Sequence, residues 1–197
     1  MINYELPTYV TIDGVNYNIR GNGDYRAILD IISVYEDEEL TAQEKQVCAL
    51  KLFYNGKVPR DIQAASIKLA EFIDCGQPLR ESRKQRPLMN WNHDIQMIIP
   101  AINAVAQTEV RNCEYMHWWT FIGYYKQIDA KNPFSLVISI RDKKQKGKKL
   151  EKWERDFYNE NRDLINIVSE KQFEWLDGDD WRATGILYWL SKLTKKA

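Results

Sequence analysis

Cys113 and His117 stand four residues apart, a spacing that on a helix would turn a thiol and an imidazole toward one metal ion. The same pair could act as nucleophile and base. Neither chemistry is completed by the rest of the chain. There is no CxxC, no HExxH and only one other histidine, His93, so a buried thiol and a hydrogen-bonded histidine are the simpler expectation. Asp177, Asp179 and Asp180 suggest a cation loop without the EF-hand ligand order, and Asp179 reads better as a helix cap. "RGNGDY" (20–25) has two glycines but no following GK[ST], which makes it a poor phosphate loop. No catalytic constellation assembles, and no enzyme, metal or cofactor is expected.

The larger polar features are charge runs. "RESRKQR" (80–86) and "RDKKQKGKKLEK" (141–152) are basic, and "EDEE" (36–39) is acidic. Lys+Arg and Asp+Glu balance at 28 each, so the bulk charge favours neither nucleic acid nor an anionic membrane. A run such as 141–152 is most simply a solvated helix face; a dock for an acidic protein segment is the next reading, and phosphate backbone follows. No apolar run approaches the ~20 residues that span a bilayer, and the start carries no secretory pattern. Three scattered cysteines suit reduced thiols. The chain therefore reads as soluble and intracellular.

These residues must be held by elements that the pattern locates. Residues 9–19 alternate around Asp13-Gly14, a hairpin signal. Beyond it the periodicity is helical. One helix starts near Asp24 with Ile28, Leu29, Ile32 and Tyr35 inward. A second begins at the capping-box pair Thr41 and Glu44 and carries Val47, Leu50 and Phe53. A third has Pro59 in its first turn, the stripe Ile62, Ala65, Leu69, Phe72 and Ile73, and a stop at Gly76. Residues 77–90 lack any period and divide the chain into an N-terminal part (1–76) and an aromatic helical part (91–168), followed by an extension (169–197). The second part opens with Ile95, Ile98, Ile99, Ile102 and Val105, kinked at Pro100. A short helix at 134–141 and a longer one with Leu150, Trp153, Phe157 and Leu164 on one face come later. A last helix carries Ile186, Leu187, Leu190 and Leu193. The fold class is mainly α, a helical bundle with a small N-terminal β-hairpin.

Between them lies "CEYMHWWTFIGYYKQ" (113–127). On a helical wheel Trp118, Phe121, Ile122, Tyr125 and Ile128 make one core stripe, which Met116 and Trp119 widen to roughly 240°, against the ~100° of an ordinary surface helix. Such a helix is either sandwiched or partly offered to a partner. Helical spacing and a single lysine, Lys126, argue against a base-stacking platform.

Several of these segments together resemble a tail-assembly chaperone family of siphophages and prophages from Gram-positive bacteria. They are "YNIRGNGDYRAILDII", "EKQVCALKLFYNGKVPRDIQAASIKLAEFIDCG", "HDIQMIIPAINAVAQTEVRNCEYMHWWTFIGYYKQI" and "FSLVISIRDKKQKGKKLEKWERDFYNENRDL", which together cover about residues 17–165. The resemblance implies a non-enzymatic protein encoded between the major tail and tape-measure proteins. It would coat the tape-measure protein in the host cytoplasm and be absent from the finished virion. The tail-tube protein and a second tail-assembly chaperone are further partners it implies, with a homo-oligomer left open. Carried over by position, the binding residues would be Met116, His117, Trp118 and Trp119, with Arg141, Trp153, Phe157 and Tyr158 as a second patch. A nucleic-acid-binding module using 80–86 and 141–152, and a structural tail or connector subunit, are the alternatives.

Overall fold

The computed structural model describes residues 5–77 and 87–167. The basic run 80–86, the acidic cluster at 177–180 and the helix expected at 179–194 lie outside these residues. Within them the protein is mainly α with one small hairpin, as the periodicity predicts. Strands β1 (Tyr9–Ile12) and β2 (Val15–Asn18) pair antiparallel. Asp13 and Gly14 join them with φ of 50° and 75°, the two positive values of a type I′ turn.

A tight turn at Arg20–Gly23 follows. It leads into α1 (Tyr25–Glu36), whose first turn is capped by Asp24 accepting from the Arg26 N–H. Helix α2 (Ala42–Phe53) carries the Thr41/Glu44 capping box. Helix α3 (Ile62–Ile73) starts later than expected. Asp61 caps it by accepting from the Ala64 N–H, so Pro59 lies ahead of the helix and not in its first turn. Ile62, placed inward by periodicity, is then at the helix's open end and exposed. Gly76 adopts φ 77° just past α3, the left-handed residue that ends a helix.

Helix α4 (Trp91–Ala106) runs on through Pro100. After a short turn at Val110–Asn112, α5 (Trp118–Tyr125) begins only at Trp118, with His117 as its cap. Cys113 closes the preceding turn, so Cys113 and His117 do not share a helical face. The wheel drawn through 113–127 is corrected accordingly: Met116 reaches the core from an extended segment. Helix α6 (Pro133–Gln145) is longer than the 134–141 read from sequence. The single long helix expected after it is broken at Asn161 into α7 (Lys152–Glu160) and α8 (Arg162–Ile165). Leu164 therefore sits on a different helix from Trp153.

One apolar cluster runs from Ile12 to Ile138 and draws on both sides of the 77–90 stretch. Its centre is aromatic: Trp91, Trp118, Phe121 and Tyr125 lie 5.6–6.2 Å apart by ring centroid along α4 and α5. A smaller cluster of Val137, Ile140 and Ile165 seats Leu150, Phe157, Tyr158 and Leu164. Among the described residues no helix is long and apolar enough to cross a membrane.

Gly23 is required by close approach. Its φ is +81°, and a Cβ there would stand 2.8 Å from His117 Nε2 and 2.9 Å from the Phe72 ring. Both groups are buried, so neither yields easily. Gly23→Ala is expected to destabilise by about 2–4 kcal/mol, the sum of the left-handed penalty and overpacking. A urea titration against wild type measures it.

Candidate functional site

The aromatic segment is fastened to the N-terminal half by backbone and side-chain bonds. Met116 N–H donates to Asp24 Oδ2 at 3.1 Å, and Tyr25 N–H donates to Met116 O at 2.9 Å. Arg26 donates to the carbonyls of Cys113 and Glu114. Asp24 and His117 form an isolated antiparallel bridge. This pairing explains why α5 starts where it does: the chain is extended up to His117 and cannot be helical there.

His117 is 2% exposed. Its Nδ1 accepts the Trp119 N–H at 3.1 Å, which assigns the hydrogen to Nε2, and Nε2 donates to Pro7 O at 3.0 Å. A second proton would face an N–H donor, so the cap works only with a neutral ring. Burial holds the imidazole below its ordinary pKa, with the Pro7 carbonyl and Asp24 opposing. A depressed histidine pKa means that the unfolded chain binds more protons below about pH 6.5. His117 therefore contributes its full stability above that pH and loses it as pH falls toward the folded value. His117→Asn keeps an acceptor for Trp119 without the titration. The stability gap between wild type and His117→Asn should shrink as pH is lowered from 7.5 to 5 in matched melts.

Of the eight residues expected to bind a partner, four lie inside the fold. Trp118 is fully buried and donates from Nε1 to Ile73 O at 2.9 Å. Met116 and His117 are buried. Arg141 is 6% exposed and clamps three segments. It pairs bidentately with Asp94 of α4 at 2.7 and 2.9 Å, and donates to Leu88 O, Leu164 O and Ile165 O. Asp94 is wholly buried and also accepts from Asn90 N–H and bonds His93 Nδ1 at 2.8 Å. This network joins α4, α6 and α8.

The other four keep surface. Trp119 is half-buried at the end of α3, donating to Phe72 O at 2.8 Å. Its ring edge lies 3.2 Å from a Cβ position at Gly76, so the end of α3 meets the side of α5 that Trp119 widens. Phe157 and Tyr158 are half-buried on the smaller cluster. Trp153 is 56% exposed on α7, the most exposed large apolar side chain among the described residues. Periodicity placed it inward with Leu150 and Phe157; the inward position is taken by Glu154, 2% exposed and bonded to Lys143.

Much of the basic run is engaged internally. Arg141 is buried, Lys143 pairs with Glu154, Lys146 pairs with Asp142, and Lys144 sits 3.6 Å over the Tyr158 ring. Lys148, Lys149, Lys152 and Arg155 are exposed close to Trp153 in the chain, and so are the acidic Glu151 and Asp156. The result is an exposed apolar side chain in a stretch of mixed charge, a surface suited to an amphipathic segment. Among the described residues no three His, Cys, Asp or Glu side chains cluster as a metal ion would need.

Sequence reasoning missed Asp94 and Gly23. Asp94 lies one turn before Ile98 and on the same face, and Arg141 follows Phe134, Val137 and Ile138 at core spacing. Opposite charges on two apolar stripes were the available signal. Residues 2–167 match the family model described as Bacteriophage Gp15 protein. No curated protein and no solved structure matches the chain.

Proposed function

Because the chain belongs to the Bacteriophage Gp15 protein family, we propose that it is a non-enzymatic tail-assembly chaperone. In this reading it holds the tape-measure protein in the host cytoplasm during tail morphogenesis and leaves before the virion is complete. Tail-tube subunits and a second tail-assembly chaperone are its further proposed partners. The phage family and the resemblance of 17–165 to tail-assembly chaperones support the reading. The observation that carries it is the Trp153 face. A chaperone for a long helical client needs an exposed apolar anchor with a charged rim, tolerant of many client sequences. Trp153 is exposed, Phe157 and Tyr158 are half-buried beside it in sequence, and exposed charges of both signs, among them Lys152, Arg155 and Asp156, share the helix.

This moves the proposed contact surface from the aromatic segment to α7. Met116, His117, Trp118 and Arg141 then shape the scaffold, and Trp119 contributes at most its exposed edge. Trp153→Ala removes a solvated side chain and should change stability by no more than about 0.5 kcal/mol. It should weaken capture of the tape-measure protein by about 2 kcal/mol, the usual cost of losing an aromatic anchor. Pull-downs read the loss, and melts of the same variant verify the fold. The wild-type complex should persist between ~50 and ~200 mM salt, a range over which phosphate-backbone binding falls steeply. Loss of the client at the higher salt, with nucleic acid retained at the lower, would favour the nucleic-acid reading instead.

A further inference from the structure

Three successive carbonyls at the end of α8 are held by two basic side chains. His93 Nε2 lies 3.1 Å from Asp163 O, and Arg141 donates to Leu164 O and Ile165 O. A helix leaves its last carbonyls without partners, and basic side chains near that end are well placed to supply them. Both basic groups are held by the same carboxylate. Asp94 Oδ1 lies 2.8 Å from His93 Nδ1 and 2.9 Å from Arg141 Nη2, while Oδ2 accepts from Arg141 Nη1 at 2.7 Å. Asp94 is wholly buried, whereas 34% of the His93 side chain is exposed, so water reaches the ring.

The two ring nitrogens of His93 therefore both face acceptors, a carboxylate oxygen and a backbone carbonyl. A neutral imidazole carries one N–H and can serve only one of them. Its other nitrogen would then point a lone pair at an oxygen. Only the doubly protonated ring makes both bonds. His117 is the opposite case, facing one donor and one acceptor as a neutral ring. The ionisable groups on the elements packed around His93 are Asp94 on its own helix, Glu36 at the end of α1, Arg141 and Lys144 on α6, and Arg162 and Asp163 on α8. Glu36 accepts from the Trp91 and Asn92 N–H groups, and burial pushes its carboxyl up to about 7 against those two bonds. It is thus a second group at this corner that titrates near neutrality.

We propose that His93 is a proton-dependent latch between α4 and α8: charged, it bridges Asp94 and the Asp163 carbonyl, and neutral, it releases one of them. Arg141 keeps its own carbonyls at any pH, so loss of the proton loosens α8 without detaching it. Ile165 of α8 belongs to the smaller apolar cluster on which Phe157 and Tyr158 pack, so the loosening reaches α7. The closed latch requires the charged ring. It is therefore present below the ordinary imidazole range, near about pH 6.5, and is lost as pH rises through it. This device stands on the geometry alone and is independent of the function proposed above.

Amide exchange protection factors, which remove the intrinsic effect of pH on exchange, test the latch between pH 5.5 and 8. The Ile165 and Asn166 N–H groups donate to Asn161 O and Arg162 O and report on α8. In the wild type their protection, relative to that of α1, should fall about three- to ten-fold as pH is raised, the loss of roughly one hydrogen bond. His93→Gln, whose side-chain amide can donate to Asp163 O without titrating, should abolish the change. Glu36→Gln should leave it in place. In nitrogen-15 spectra of the His93 ring, both nitrogens should carry protons when α8 is protected, and the ring should titrate with the same midpoint as the protection. Protection that does not change with pH would overturn the proposal, as would a pH dependence that survives His93→Gln. A pH dependence that disappears in Glu36→Gln would assign the effect to that carboxyl and overturn it too. Should His93→Gln fail to fold, the wild-type spectra still decide, because a ring midpoint apart from the protection midpoint contradicts the latch.

Discussion

Trp118→Ala is expected to unfold the protein at ordinary temperature. The indole is fully buried between α3, α4 and α5, with its ring centroid 6.0 Å from Trp91 and 5.9 Å from Phe121. Phe121 in turn stacks on Tyr25 of α1 at 4.3 Å, so the cavity would open where four helices meet. Truncating a buried tryptophan costs about 3–5 kcal/mol. Loss of the Nε1 donor leaves the Ile73 carbonyl short of a partner, adding about 1 kcal/mol. For a protein in the lower part of the ordinary stability range of about 5–15 kcal/mol, little remains. Trp119→Ala makes the control on the neighbouring position. It loses packing on Phe72 and one hydrogen bond at a half-buried site, and should remain folded with a lower melting temperature. Circular dichroism melts of both variants give the comparison. Equal melting of Trp118→Ala and wild type would show that the aromatic centre is not the keystone of the core.

Arg141→Met should be nearly as damaging, for an electrostatic reason. It strands the Asp94 carboxylate in a site with no solvent access and removes donors from the carbonyls of Leu88, Leu164 and Ile165. Breaking a buried ion pair from one side typically costs about 3–5 kcal/mol. The double variant Asp94→Leu, Arg141→Met no longer strands a charge. It should be more stable than Arg141→Met alone, with a coupling energy of about 2 kcal/mol in a double-mutant cycle. Additive losses in denaturant titrations would mean that the two residues act separately. The cycle also bears on function: a clamp residue alters stability first, whereas a contact residue would alter client capture in a folded protein.

The local punctuation of the fold was legible because its causes are local. Asp13-Gly14, Asp24, the Thr41/Glu44 pair and Gly76 each act through their own backbone, and each is found in its expected role. Features set by tertiary contacts were not legible. By periodicity alone the aromatic helix runs on from residue 113, because a helical wheel supplies no reason to stop. The reason is the pairing of Asp24 with His117, ninety-three positions apart in sequence order, which holds the chain extended. His117 also caps α5 through Nδ1, a task that residue type alone does not advertise. Arg141 stands at the head of a lysine-rich run and by sequence belongs with its neighbours on the surface. Its partner lies forty-seven residues earlier on α4. Trp153 was drawn inward by its spacing from Phe157, while the buried position went to Glu154 because Lys143 was there to receive it. The separation of core from contact surface was thus the part of the candidate site that sequence could not supply.

If the proposed function holds, this protein keeps the tape-measure protein soluble. Co-expression of the two chains, followed by separation of soluble and insoluble fractions, measures it directly. The tape-measure protein should stay soluble and co-purify with the wild-type chain, and less of it should do so with Trp153→Ala. Equal precipitation of the tape-measure protein with and without this chain would rule the proposed function out.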